Sequence, residues 1–283
     1  MAEQPIRFDD GAAYERMMGI WSRLAGEIFL DWLAPRNGLK WIDVGCGNGA
    51  FTELIVARNA PAKIIGVDPS EGQLAYARTR RGTEMAEFRQ GDAMALPFSD
   101  RAFDVAIMAL VIFFVPEPAK GVAEMVRVVA PGGTVAAYAW DIMGGGFTLQ
   151  PIQTELKAMG FTPTRPPNSE ASTIEALQKL WSDAGLVEIE TRRIDVQRSF
   201  VDFDDFWGAA AAAPTLGDLF TRMAPDDLAG LKTRVRKRLN EDGTGRITYG
   251  AWANAIKGRL PELPAHRNAE SELAALPGAG RRA

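Results

Sequence analysis

The chain predicts an α/β fold, a doubly wound sheet of seven strands with only the last one antiparallel. Three observations carry that expectation. Short apolar runs alternate with stretches of helical period through the first half of the chain. The first run, Trp41-Ile42-Asp43-Val44, passes directly into three glycines at alternate positions, Gly45, Gly47 and Gly49. Acids stand at Asp43, Asp68 and Asp92, 25 and 24 residues apart, which is the length of one strand-plus-helix unit. All three should therefore gather on one edge of a parallel sheet, where such sheets bind ligands.

Taken in order, a helix is expected over Tyr14 to Leu33, then the strand ending at Val44, then an amphipathic helix from Ala50 to Ala57. Lys63 to Val67 is a second strand ending in Asp68. Ser70 and Gln73 form a capping box for the next helix, which leaves Asp68 free to face the crevice. Glu87 to Gln90 is a third strand, leading to Gly91-Asp92. Val105 to Val115 is the longest apolar run; it is too short to cross a bilayer and fits a central strand buried on both faces. Gly132-Gly133 precedes a fifth strand, Thr134 to Trp140. Residues 147–160 read as helix, 161–171 as a Pro- and Asn-rich loop, and Thr173 to Ala184 as a helix closed by Gly185. Leu186 to Arg193, extendable to Ser199, is a sixth strand, and Arg246 to Lys257 the last. The helical stretch from Val201 to Asn240 is an insertion between them. The organisation expected is one domain over 1–260. It has an N-terminal helical segment at 1–37, a core at 38–141 and a second half at 142–260 in which 201–240 caps the ligand edge. A flexible tail at 261–283 follows.

Glycine serves a strand-to-helix turn twice: it tolerates φ > 0, and its missing Cβ lets peptide N–H groups approach an anionic ligand at the helix N-terminus. The turn reads as a nucleotide-cofactor cradle. Gly45-x-Gly47-x-x-Ala50 also satisfies the relaxed dinucleotide fingerprint, so the turn alone does not choose the cofactor. Asp68 suits ribose hydroxyls. Asp92 suits the same edge, although an Asp after Gly is ordinary turn chemistry. Cys46 reads as a small space-filler in the turn rather than a nucleophile.

Together the motifs are more specific. Asp43-Val44-Gly45-Cys46-Gly47-Asn48-Gly49, Val67-Asp68-Pro69-Ser70, Gly91-Asp92-Ala93-Met94-Ala95-Leu96-Pro97-Phe98, Phe103-Asp104-Val105 and Ala130-Pro131-Gly132-Gly133 follow one another along the chain. In that order they resemble the class I S-adenosylmethionine-dependent methyltransferases, in the branch that includes the ubiquinone and menaquinone biosynthesis enzymes. The likeness is firm over 38–141 and looser over Tyr14 to Leu33. It implies a Rossmann-like sheet with an N-terminal helical lid. It also implies methyl transfer from S-adenosyl-L-methionine to a small molecule, leaving S-adenosyl-L-homocysteine. By the same resemblance Gly45 and Gly47 pass the methionine moiety, Asp43 orients its amino group, and Asp68 binds the ribose. Pro69 would pack on the adenine, and Asp92 and Ala93 would hold its edge. Tyr14, Trp21, Cys46, Gln73 and Ala109 complete the implied cofactor set. Tyr14 and Trp21 would be aromatic faces for a cationic sulfur, with helix-core packing as the alternative.

A net charge of −4 leaves no electrostatic footprint for nucleic acid or an anionic membrane. The basic run Lys232 to Arg238 reads as a solvated helix face rather than a phosphate patch. A single cysteine excludes an internal disulfide and any multi-cysteine metal site, and suits a cytoplasmic location. The first ten residues lack the pattern of a signal peptide.

For the acceptor, Phe113, Trp140, Phe147, Phe206 and Trp207 are the candidate aromatic surface, with plain core packing the alternative for each. Displacement at a sulfonium needs alignment and exclusion of water more than acid–base chemistry. An acceptor that must lose a proton needs a base, and Ala109 to Val115 holds no polar group. Asp141, at the end of the fifth strand, is the candidate base, unless it caps the next turn. Two rival readings stand. One is a nicotinamide-dependent oxidoreductase on a similar sheet, for which the chain offers no proton relay: its only histidine, His266, lies in the tail. The other is a non-enzymatic binder of the sulfonium or its product.

Overall fold

The computed structural model describes residues 15–262, so Tyr14, His266 and nearly all of the expected tail lie outside the described residues. Seven strands form one sheet: β1 (Lys40–Val44), β2 (Lys63–Asp68), β3 (Glu87–Gln90), β4 (Phe103–Ala109), β5 (Val129–Trp140), β6 (Val187–Phe200) and β7 (Ile247–Arg259). Their order is β3-β2-β1-β4-β5-β7-β6, with β7 antiparallel to both its neighbours and every other pairing parallel. The order reverses between β1 and β4, which opens a crevice at the carboxyl ends of those two strands. Helices α1 (Ile20–Leu33), α2 (Ala50–Asn59), α3 (Glu71–Thr79), α4 (Pro118–Val128), α5 (Gln150–Ala158) and α6 (Ile174–Asp183) cover the two faces. With both faces covered, β1 and β4 can be apolar without alternation, and Trp41, Ile42, Val105, Ala106, Ile107 and Met108 are all buried. Each large side chain there contributes about 1.5–3 kcal/mol on leaving water.

Three elements differ from the sequence expectation. The apolar run 105–115 is not one strand: β4 stops at Ala109, Leu110 turns the chain with φ 64°, and Ile112–Phe114 forms a 3-10 turn. A positive φ at a bulky residue is costly, and here it aims the chain away from the sheet at the rim of the crevice. Gly132-Gly133 lies inside β5 rather than before it, at a register shift against β4. A Cβ on Gly133 would stand 2.6 Å from the Asp104 carbonyl oxygen, so the close approach of the two backbones demands glycine.

The insertion resolves into α7 (Phe203–Ala211), α8 (Pro214–Arg222) and α9 (Pro225–Arg238), with proline opening the second and third. It does not close over the ligand edge. Helix α7 packs on β6 and on a π-helical turn at Glu15–Gly19, and α9 packs on α5. The basic run is not simply solvated either. Arg238 and Arg234 pair with the buried Glu155 of α5, Lys232 lies over the Trp207 ring, and Arg236 bonds Glu241 at 2.6 Å.

Candidate functional site

A cavity of about 970 Å³ occupies the crevice. Its floor is the glycine turn after β1, with positive φ at Gly45 (77°), Gly47 (51°) and Gly49 (78°). The two inner glycines are glycines for different reasons. A Cβ on Gly45 would lie 2.5 Å from both methyls of Val111, so the tight seat of the segment after β4 excludes a side chain there. A Cβ on Gly47 would meet nothing nearer than Gln73 Oε1 at 3.9 Å, so the space it would fill belongs to the cavity.

The turn is less open to a ligand than its glycines suggest. The Gly45 and Cys46 amides donate to the Val67 carbonyl at 2.7 and 3.0 Å, and the Gly47 amide donates to Asp68 Oδ2 at 2.9 Å. Asp68 is accordingly not free: its other oxygen accepts from the Ser70 amide at 2.9 Å, beside the Ser70 cap on the Gln73 amide. It still lines the cavity, and burial raises its pKa against the pull of those two amides. Pro69, Gln73, Asp92, Ala93 and Ala109 line the same cavity. Asp92 Oδ1 also accepts from the Met94 amide at 2.8 Å, the turn chemistry expected of it. Cys46 lines the cavity too. Burial pushes its thiol well above the usual range, so it is a space-filler and not a thiolate.

Asp43 is not on the cavity surface where the resemblance implied it would meet the donor's amino group. It is fully buried beneath the turn, does not line the cavity, and accepts a 2.7 Å bond from the Thr52 hydroxyl of α2, while its Oδ1 has no partner. Burial pushes its carboxyl up to about 7. As the fourth of the five residues of β1, Asp43 turns its carboxyl to Thr52 of α2 rather than into the cavity.

Above the turn, the N-terminal segment is stapled down by polar groups. Asn48 Nδ2 donates to Glu15 Oε2 at 2.8 Å, and Arg80 binds Glu15, Glu53 Oε2 at 2.8 Å and the Asn48 carbonyl at 3.0 Å. Helix α1 thereby lies against α2, and Ser22 lines the cavity.

The second wall holds none of the aromatic candidates that lie within the described residues. Trp21 and Trp140 pack edge to face at 6.4 Å, Trp21 also meets Phe200 and Tyr249, and Phe206 and Trp207 lie in the core under the insertion with Trp207 stacked on Phe220 at 4.7 Å. Phe147 packs against the same core, and Phe113 is buried while its neighbour Phe114 lines the cavity. None of these six candidates lines the cavity; Phe206 and Trp207 are drawn off because the insertion packs on β6, and the other four are taken up in the core around it. Asp141 is also elsewhere: its oxygens accept from the Gly144 amide at 2.8 Å and from Trp252 Nε1 at 3.1 Å, which makes it a turn cap and not a base in the cavity.

The wall is instead built from Val111 and Phe114 to Pro116, with Phe51 and Tyr138 below and the loop Thr164 to Asn168 above. Asn168 anchors that loop to the segment after β4. Its amide donates to the Phe113 carbonyl at 3.0 Å, and its side chain to the carbonyls of Val115 and Pro116 at 2.6 and 3.1 Å. The one signal for this wall was the long Pro- and Asn-rich loop, since structureless loops of that length are uncommon unless they serve a site.

An open seat above Gly47, a carboxylate beside it at Asp68 and an apolar compartment beyond leave room for an adenosyl sulfonium. Among the described residues there is no cluster able to hold a metal ion, and no described helix is long and apolar enough to cross a membrane. The methyltransferase domain family profile matches residues 42–137. The ubiquinone/menaquinone biosynthesis C-methyltransferase of Roseobacter denitrificans is 36% identical over 115 residues, 39% of this chain and 46% of that protein. The malonyl-[acyl-carrier protein] O-methyltransferase of Methylococcus capsulatus is 30% identical over 179 residues, 56% of this chain and 63% of that protein. The chain thus spans less than two thirds of either relative. Phosphoethanolamine N-methyltransferase 2 of Haemonchus contortus, solved with phosphomonomethylethanolamine and S-adenosylhomocysteine, shares the fold. It aligns with a TM-score of 0.55 at 18% identity, over 89% of this chain and 57% of that one. Over residues 42–137, therefore, the chain matches the methyltransferase domain family, and over 115 residues it is similar to a ubiquinone/menaquinone biosynthesis C-methyltransferase.

Proposed function

We infer that the protein transfers the methyl group of S-adenosylmethionine to a small-molecule acceptor held in the same cavity. The observation that supports this most is the continuity of the site. The seat above Gly47 and the apolar compartment under Phe114 and the Thr164–Asn168 loop form one space, so donor and acceptor can meet without crossing solvent. The bound donor supplies an already activated methyl group. The chain's own part is to bind, align and keep water out, which orientation alone rewards by several kcal/mol. Asp68 would hold the ribose hydroxyls, Pro69, Asp92 and Ala93 the adenine, and the Gly45–Gly47 turn with Gln73 the methionine end. No carboxylate or imidazole stands on the acceptor wall among the described residues, so an acceptor atom nucleophilic without a protein base suits this wall best.

Calorimetric titration separates this reading from its rivals. Micromolar binding of S-adenosylmethionine with no heat from NAD is expected, followed by label transfer from a methyl-labelled donor to one member of a metabolite panel. NAD binding in place of the sulfonium would reverse the assignment, and tight sulfonium binding with no transfer would make the protein a sensor. Asp68→Ala removes bonds to a charged group and is expected to weaken S-adenosylhomocysteine by about 1.5–3 kcal/mol. An unchanged affinity would put the sugar elsewhere.

A further inference from the structure

We propose that Arg165 selects the acceptor, which is an apolar body carrying one anionic group, a carboxylate or a phosphate. The proposal rests on the reading of the cavity as a donor-plus-acceptor site. Charge is distributed unevenly around that cavity. Its acids, Asp68 at the end of β2 and Asp92 just after β3, stand on one side of the glycine turn, where the adenosyl part is placed. Its one cation among the described lining residues, Arg165, belongs to the loop that Asn168 pins to the segment after β4, on the other side. Between them the wall is apolar, with Val111, Phe114 and Val115.

The place of the guanidinium, at the mouth of the cavity beside an apolar wall, is what points to a ligand. Arg165 is exposed, as are Arg36, Arg81, Arg101 and Arg192, but of these it alone lines this cavity. Arg165 makes no hydrogen bond, ion pair or ring contact with any described residue, and it lies three residues from an anchored asparagine. A guanidinium offers two parallel N–H donors that match a carboxylate or phosphate edge, and its bond to an anion strengthens as water is excluded. An apolar acceptor seated against Phe114 and Val115 would exclude that water. The loop would then work as a clamp whose one charged tip reads the end of the acceptor.

The test uses the full chain saturated with S-adenosylhomocysteine, titrated with matched probes: octanoate, decanoate, benzoate and cinnamate, each against its uncharged carboxamide, with octyl phosphate as the phosphate arm. The expected result is tighter binding of the anion in at least one pair. Arg165→Ala should weaken that anion by at least about tenfold and leave the carboxamide unchanged, with Arg165→Lys recovering part of the loss. Affinity for S-adenosylhomocysteine should be the same in all three proteins. The proposal is overturned if no pair distinguishes anion from amide in the wild type. It is also overturned if Arg165→Ala costs affinity for S-adenosylhomocysteine, which would assign the guanidinium to the donor's own carboxylate. A wild type that does not bind S-adenosylhomocysteine at all would instead sink the methyltransferase reading itself.

Discussion

Gly47→Val should lose S-adenosylhomocysteine binding by roughly a hundredfold or more, about 2.7 kcal/mol, while the variant still folds. The two halves of that result come from separate features of one residue. Its Cβ direction is empty of protein out to 3.9 Å, so a side chain there meets the ligand's seat rather than the core. Its φ of 51° costs an L residue about 1–2 kcal/mol, and a β-branched one somewhat more. A modest fall in melting temperature should therefore accompany an almost complete loss of binding. Gly45 is a poor site for the same test. Its Cβ would strike Val111 and unseat the segment after β4, so loss of ligand there would report loss of structure. Calorimetry on a Gly47→Val protein with wild-type circular dichroism decides the matter, and an affinity within threefold of wild type would mean that the donor does not lie over this turn.

The difference between Gly45 and Gly47 also marks how far the sequence could be read. Strand ends, the glycine turn and the acids at 68 and 92 are set by local pattern, and they stand at one sheet edge as their spacing requires. What pattern could not say is which polar groups are already satisfied. Asp68 is committed twice to backbone amides, and the Gly45, Cys46 and Gly47 amides are spent within the fold, because a tight turn must satisfy its own peptide groups before it serves a ligand.

The aromatic candidates failed for a related reason. Phe206 and Trp207 sit on an amphipathic helix, and such a helix buries its apolar face against whatever lies beside it. Here that is β6, long enough at 14 residues to carry the insertion away from the crevice. Position in sequence says that 201–240 leaves the sheet at its ligand edge, but not which way it then folds. The cavity was closed instead by a loop with few aromatic residues, which hydrophobic periodicity does not register. Arg165 was invisible in the sequence because a lone arginine in a polar loop is ordinary until the fold sets it at a cavity.

Asp43 should give the chain an unusual dependence on pH. Burial pushes its carboxyl up to about 7 in the folded protein, with the Thr52 hydroxyl opposing and the nearby Asp68 reinforcing; the unfolded chain titrates near the ordinary 3.8. Between those values the native state holds a proton that the unfolded chain has released. The contribution is therefore whole below about pH 4 and is lost as pH rises through 7, the opposite of the usual salt-bridged aspartate. Releasing that proton across the window costs on the order of 4 kcal/mol of stability. Asp43→Asn keeps an oxygen for the Thr52 hydroxyl and carries no charge at any pH, so it should flatten this component. Denaturant unfolding of the two proteins at pH 4.5 and 8 should find them close at the acid end and the variant more stable at the alkaline end. Parallel curves would mean that Asp43 is ionised in the core after all, with water or a neighbour solvating its second oxygen. Should the curves diverge as expected, the acid of the glycine motif acts through the fold. A neutral carboxyl under the turn ties β1 to α2, and it is the position of that turn, not the charge of Asp43, that the ligand would feel.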